Sequence, residues 1–396
     1  MKKSIVKLFG IIALSTSLLT SCSSDNNNDS KKPTSTFVAD ANDFKGIISD
    51  GEVVLDASTV YKLTGKLQVN DGATLTIPAG TVIQGTGGTK AYIAIAQGGK
   101  INVNGTAAKP VIMTSGLPTK GAGDWGGLVI CGRAPINRVT GGASTAQSEV
   151  ADLTYGGTIS ADNSGSIKYL RIEYAGAAYN TEKEFNGVSF FGVGSGTVVE
   201  NVQAFHGADD GFEFFGGSVN TTNLIAIGNE DDQFDWTEGW NGKNTNWYGK
   251  LNFGKGNRGI EADNFELGFA NTPIANPTIT NMTLIGPGSA ADATIYTENQ
   301  AIKFRRGTKG LISNVVLSGW KTGIDVENDE TIAFVGTALK VTSVNYISDV
   351  SVKTKGKKTD ASTADVTAVA TESTSATGAG NGITQPTWAT GWSVGF

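Results

Sequence analysis

Two acidic turns of the same pattern, Asp209-Asp210-Gly211-Phe212-Glu213-Phe214 and Asp231-Asp232-Gln233-Phe234-Asp235-Trp236, lie 22 residues apart. The alternation after each Asp pair turns the rings to one side of a strand and Glu213 or Asp235 to the other. A fixed offset makes the two strands successive repeats. The outward column then reads Ser189, Glu213, Asp235, Glu261, Lys303, Asp325. Carboxylates stacked at the ~4.8 Å strand spacing would repel by about 3 to 4 kcal/mol at an effective dielectric of 20. Something must offset that. A hard cation taking six to eight oxygens suits a set made of Asp209, Glu213, Asp231, Asp232 and Asp235, which points to calcium. The structural alternative is that turn aspartates bond their own backbone and that Glu213 and Glu261 are solvated beside Arg258 and Lys303.

Acid–base chemistry has its own candidates in Asp210, Asp232, Glu261 and Lys303. Glycoside hydrolysis needs two carboxyls about 5 to 5.5 Å or about 6.5 to 9.5 Å apart, and stacked coils supply such gaps everywhere, so spacing does not discriminate. His206, the single histidine, precedes Asp209 and reads as a hydrogen-bonded surface residue. Cys131 follows the apolar run Leu128 to Ile130 and reads as a buried, inert thiol. Trp240, Trp247, Tyr248 and Phe253 occupy a Gly- and Asn-rich segment, Gly239 to Gly254, that breaks the alternation. It is expected to project as a loop whose flat rings suit a sugar face or a protein anchor, or else to pack on its own coil.

Positioning these groups is the work of a repeat. The chain has 53 glycines with no period of three and only 17% charged residues, which excludes collagen, coiled coil and disordered acidic tail. Leu67, Val69, Leu75 and Ile77 recur 26 residues later as Ile93, Ile95, Ile101 and Val103. Later inward pairs are Val188 and Phe190, Phe212 and Phe214, Phe234 and Trp236, Ile260 and Ala262, Ile302 and Phe304, Ile324 and Val326. A second column holds Asn201, Asn223, Asn281 and Asn314, with an insertion over Pro287 to Asn299. Short strands at spacings of 22 to 26 predict an all-β, right-handed parallel β-helix. A propeller needs a longer period, and leucine-rich repeats a signature this chain lacks. Phe37 to Tyr61 is expected to cap the N-terminal end, and Trp388, Trp392 and Phe396 the last coil. Lys355 to Gly380 is expected to be loop or irregular edge strand.

Lys2, Lys3 and Lys7 ahead of the apolar stretch Leu8 to Leu19 read as an export signal. Leu19-Thr20-Ser21-Cys22 resembles a bacterial lipobox, which makes Cys22 the lipidation site. Four regions follow: a lipoprotein signal peptide over 1–21, a flexible tether over 22–35, the β-helix with its cap over 36–340, and a terminal coil, Thr/Ala/Ser-rich loop and C-terminal cap over 341–396. With Cys22 acylated, Cys131 has no disulfide partner. A net charge of −6 argues against a nucleic-acid partner.

Thr74-Leu75-Thr76-Ile77-Pro78-Ala79-Gly80-Thr81-Val82-Ile83, Gly123-Asp124-Trp125-Gly126-Gly127-Leu128, Tyr155-Gly156-Gly157, Arg171-Ile172-Glu173-Tyr174-Ala175-Gly176 and the stretch from Asp209 to Gly217 together resemble a family of parallel β-helix, pectin-lyase-like surface lipoproteins of Bacteroidota. The resemblance implies the fold and an outer-membrane, cell-surface address, and no established activity. Asp231, Asp232 and Asp235 are similar to the calcium-binding coil of β-helical pectate lyases. Those enzymes carry a lysine base on a following coil, where this chain has Arg258 and Glu261, with Lys303 one coil later. Polygalacturonases pair such aspartates with a His and an Arg-x-Lys, whereas here Lys303-Phe304-Arg305 reverses the order. The leading expectation is a lipid-anchored β-helix that binds an extracellular glycan or an outer-membrane receptor protein without catalysis. A calcium-dependent polysaccharide lyase or glycoside hydrolase, and a structural adhesin, are the alternatives.

Overall fold

The computed structural model describes residues 33–138, 144–251 and 254–396. The expected signal segment, Cys22 and the start of the tether lie outside the described residues, as does Phe253. Among the described residues twenty-four strands join in one network of parallel pairs, as expected for a solenoid that winds strand upon strand. The sheet that carries the acidic column stacks Phe44–Ile48, the end of Val60–Val69, Ile93–Ile95, Leu128–Cys131, Val188–Phe191, Phe212–Phe215, Phe234–Thr237, Ile260–Ala262, Gln300–Phe304, Trp320–Glu327 and Val350–Lys357. Its register pairs Ser189 with Glu213, Glu213 with Asp235, Asp235 with Glu261, Glu261 with Lys303 and Lys303 with Asp325. Period-two alternation therefore sends the aromatic neighbours inward, where Phe190 stacks on Phe214 at 5.0 Å and Phe212 on Phe234 at 5.7 Å.

The other two faces meet at a corner set by one residue per coil. Asn201, Asn223, Asn246, Asn281 and Asn314 all hold positive φ, a conformation that Asn adopts more readily than most residues. Each donates its side-chain amide to the carbonyl of the Asn one coil earlier, at 2.8–2.9 Å from Asn223 to Asn314. Asn246 belongs to this ladder, which corrects the reading of Gly239 to Gly254 as a projecting loop. Lys243–Lys250 is a strand paired with Asn220–Ile227 and Thr278–Ile285. The alternation is broken there because the strand bends at Asn246. The extra residues expected after Asn281 lie between the strands Thr278–Ile285 and Gln300–Phe304.

Both ends differ from expectation. Phe44–Ile48 and Glu52–Val54 are strands of the first coil, and the cover over that end comes from Phe37, Ala39 and Ala41. At the far end Leu339–Tyr346 and Val350–Lys357 continue the stack, and Val366 and Val369 are buried against it. Trp388, Trp392 and Phe396 do not cap the last coil. The C-terminal segment runs back along the side of the solenoid and covers Ile225, Ile227 and Tyr248. It is pinned by reciprocal hydrogen bonds between Gln203 and the backbone of Val394, at 2.7 and 2.9 Å. Outward apolar residues on this face had to be covered by something, and the chain's own end covers them. A further excursion between Cys131 and Gly165 carries the hairpin Thr145–Gln147/Thr154–Gly156 across the acidic sheet. Among the described residues no helix is long and apolar enough to cross a membrane.

Candidate functional site

Glu213, Asp235 and Glu261 point outward from three neighbouring strands into a cleft of about 490 Å³. Its walls come from the excursion after Cys131, which contributes Arg138, Glu149 and Tyr155, and from the turn after Ala262, which contributes Asp263 and Phe265. An adjoining recess of about 430 Å³ is lined by Asp209, Asp210 and Asp231 and shares Glu149, Glu213 and Asp235.

Charges beyond Asp235 are compensated. Arg258 reaches Asp232 at 3.1 Å, Glu261 at 2.6 Å and Glu298 at 3.1 Å, and its backbone N–H donates to Asp232 Oδ1 at 2.7 Å. Arg305 pairs with Asp263 at 2.7 Å and also with Glu261. Lys303 lies between Glu298 at 3.6 Å and Glu327 at 3.3 Å, and Lys355 meets Asp325 at 3.1 Å. Three of the four acid–base candidates, Asp232, Glu261 and Lys303, are thus held in internal ion pairs. Asp232 has both carboxylate oxygens engaged by Arg258, so a cation there would compete with that pair.

The stretch before it is different. Among the described residues Asp209, Asp210, Glu213, Asp231 and Asp235 have no lysine or arginine within ion-pair distance. Asp210, the remaining acid–base candidate, accepts the backbone N–H of Asp232 at 2.8 Å, and Glu213 accepts from Asn186 Nδ2 at 2.7 Å. Asp235 Oδ1 is buried and finds no hydrogen-bond partner. Burial first, then repulsion from neighbouring carboxylates, pushes Asp209, Asp210, Glu213 and Asp235 well above the usual carboxylate range. One oxygen from each of Asp210, Glu213 and Asp235 lies within 4.8 Å of the others, and the same holds for Asp209, Asp210 and Asp231. Two oxygens that share a calcium ion at 2.3–2.6 Å can be no farther apart than about 5 Å, so both groups fit a hard cation. The orphaned Asp235 Oδ1 makes the first the better fit. All five expected metal residues fall in such groups, joined by Asp210: a third set, Asp232, Asp235 and Glu261, meets the same distance, although Arg258 already pairs with Asp232 and Glu261.

Sequence reasoning missed Glu238, Tyr155, Arg138 and Glu149. Tyr155 donates to Glu238 Oε2 at 2.6 Å, and Arg138 reaches Tyr155 Oη at 3.2 Å and Glu238 Oε1 at 3.5 Å. Burial pushes both Glu238 and Glu149 up to about 7. Glu238 also holds a positive φ of 55°, uncommon for a glutamate. It directly follows the acidic strand, and Tyr155 belongs to a motif already singled out. What was hidden was that the excursion folds Tyr155 onto Glu238.

The aromatic candidates are corrected. Trp240 and Trp247 are 0% exposed and Tyr248 1%. Trp240 stacks on Phe214 at 4.1 Å and Trp247 on Phe234 at 4.4 Å inside the solenoid, while Tyr248 lies under Phe396. None faces a ligand, because Trp240, in the turn before the strand, and Trp247, on it, put their rings into the core, and Tyr248 lies beneath the C-terminal segment. His206 packs between Phe205 and Tyr174, outside the cleft. Cys131 is fully buried, and desolvation pushes its thiol up to about 12.

No curated protein and no solved structure matches this chain. A family model for the pectate-lyase-like beta helix domain matches residues 46–393, the span of the stacked coils and of the acidic cleft, and the chain belongs to that family.

Proposed function

We propose that this protein is a lipid-anchored β-helix of the outer membrane, displayed at the cell surface, that binds an extracellular glycan through the acidic cleft with calcium as counter-charge and without catalysis. The observation that carries the reading is the group Asp210, Glu213 and Asp235, which has no direct ion pair among the described residues, with Asp235 Oδ1 buried and without a hydrogen-bond partner. Hydroxyl and carboxylate oxygens of a sugar can complete the coordination of a cation held by three carboxylates. The ion pairs that occupy Asp232, Glu261 and Lys303 favour binding over turnover. Calorimetry with calcium, followed by glycan binding with and without chelator, tests it. Absence of calcium binding at millimolar concentration would remove the reading.

A second reading has one observation in its favour. Glu149 and Glu238 line the same cleft and both sit at about 7, a value suited to proton transfer near neutral pH. A polysaccharide lyase or hydrolase would cleave acidic polysaccharide and lose that activity in Glu238→Gln. Intact polymer after prolonged incubation with calcium leaves the binding reading alone.

A further inference from the structure

A second concave surface lies on the first two coils, three strands of the stack, or about 14 Å, before Phe212–Phe215. This groove of about 850 Å³ carries Lys45, Lys66 and Lys90 where the later coils carry Asp209 and Asp231, on the approach to the same sheet. Lys45 and Lys66 precede the paired positions Gly46 and Leu67, and Lys90 stands three residues before Ile93, which pairs with Leu67. Lys66 and Lys90 are exposed and have no acid within ion-pair distance among the described residues, whereas Lys45 holds Asp43 at 2.8 Å. Gly65 shapes the floor, since a Cβ there would meet the Lys45 stem at 3.2 Å.

One wall is aromatic and fixed. Tyr92 and Tyr179 pack on Phe185 at 4.8 and 5.4 Å, and Tyr179 donates to Asp152 at 2.5 Å. Thr89 donates to the carbonyl of Ala178 at 3.0 Å and ties the wall to the lysine turn. Cations beside a fixed aromatic ring suit a ring that bears an anionic group: the sugar lies against the half-buried Tyr179, with the buried Tyr92 behind it, and its charge reaches the lysines. A concave floor selects such a protruding group over a flat lipid surface.

We propose that this groove is a second, calcium-independent site that takes the carboxylate or sulfate of an anionic sugar. In its ligand class the inference rests on the glycan reading above, and it makes that glycan an acidic one. The test titrates the full-length protein in chelator with an oligogalacturonate, a sulfated dextran oligosaccharide, a neutral dextran oligosaccharide and anionic phospholipid vesicles. At least one anionic sugar should bind, weaken as salt is raised, and bind about tenfold less tightly to Lys66→Ser/Lys90→Ser. Asp235→Asn should leave this binding unchanged, so a failure of the calcium site alone does not touch it. Equal binding of neutral dextran, an unaltered affinity in the double variant, or capture by vesicles alone overturns the proposal.

Discussion

Replacing Asp235 by Asn should stabilise the metal-free protein and destabilise its response to calcium. In the sheet register Asp235 has Glu213 on one side and Glu261 on the other. The repulsion on Asp235 comes from Glu261 ahead of Asp263 and Asp232, with Arg305 offsetting part of it, and Glu213 is repelled by Asp235 from the other side. At the ~4.8 Å strand spacing and an effective dielectric of 20 the repulsion between Asp235 and Glu213 amounts to about 3 to 4 kcal/mol between full charges. Burial raises both carboxyls and proton uptake takes up part of this repulsion, so the figure is an upper bound on what the substitution relieves. Asp235→Asn in chelator should therefore gain stability, by at most about 3 to 4 kcal/mol. With calcium at 100 times its dissociation constant the parent gains about 2.7 kcal/mol by mass action, and the variant, short of one anionic ligand, gains less. Urea denaturation of both proteins, with chelator and with calcium, gives the four stabilities needed. An equal effect of Asp235→Asn in the two conditions refutes the reasoning, because it makes the column a solvated acidic face.

Four further outcomes follow from the same structure. Glu238 and Glu149 have folded values of about 7 against 4.5, so the folded state binds more protons between those values and stability in chelator should fall as pH rises from about 4.5 to about 7, by about 3 kcal/mol for Glu238; Glu238→Gln should flatten that limb in denaturant titrations across pH. Phe214→Ala, Trp236→Ala and Trp247→Ala should each cost about 3 to 5 kcal/mol by the same assay, and a cost under about 0.5 kcal/mol would mean that the register is wrong by one residue. Asn246→Ala loses two ladder hydrogen bonds and strains a positive φ, for about 2 to 3 kcal/mol, whereas Asn246→Gly keeps the backbone and should cost about 1 kcal/mol less; equal losses in the two would refute the left-handed corner. Cys22→Ser should move the protein from the membrane fraction to the soluble one, and retention after a high-salt wash would end the lipid-anchor proposal.

Strand periodicity made the acidic sheet legible from residues alone. Every inward pair from Val188 and Phe190 to Ile324 and Val326 is buried as read. Two features defeated the same reasoning. At Asn246 the strand turns a corner, so the residues on either side lose a common alternation although the Asn-Trp pair stands 23 residues after Asn223-Leu224. The C-terminal rings could be recognised as a cover, but which surface they cover depends on the outward Ile225, Ile227 and Tyr248, and those look like ordinary outward positions until three coils are stacked.

The site was legible to the extent that it lies on one column. Asp209 and Asp231 lie in the turns, and Glu213 and Asp235 on the strands, of two coils whose register the sequence repeats, so their approach follows from the offset of 22. What the repeat cannot encode is compensation from elsewhere. Arg258 leaves the line of the sheet to occupy Asp232, and the excursion after Cys131 brings Tyr155 and Arg138 to Glu238 across 83 and 100 residues of chain. These contacts divide the column into two parts with different physics. From Glu261 onward acids meet bases in alternation, as a ladder that serves only stability would arrange them. From Asp209 to Asp235 the chain keeps five carboxyls with no such partner and folds a second wall over them, at a cost in desolvation and repulsion that a solvated face would avoid. Solubility requires neither the burial nor the wall. A cation bound between those carboxyls would turn both costs into affinity, which is why the effect of calcium on Asp235→Asn, and not the stability of the fold, decides what this cleft does.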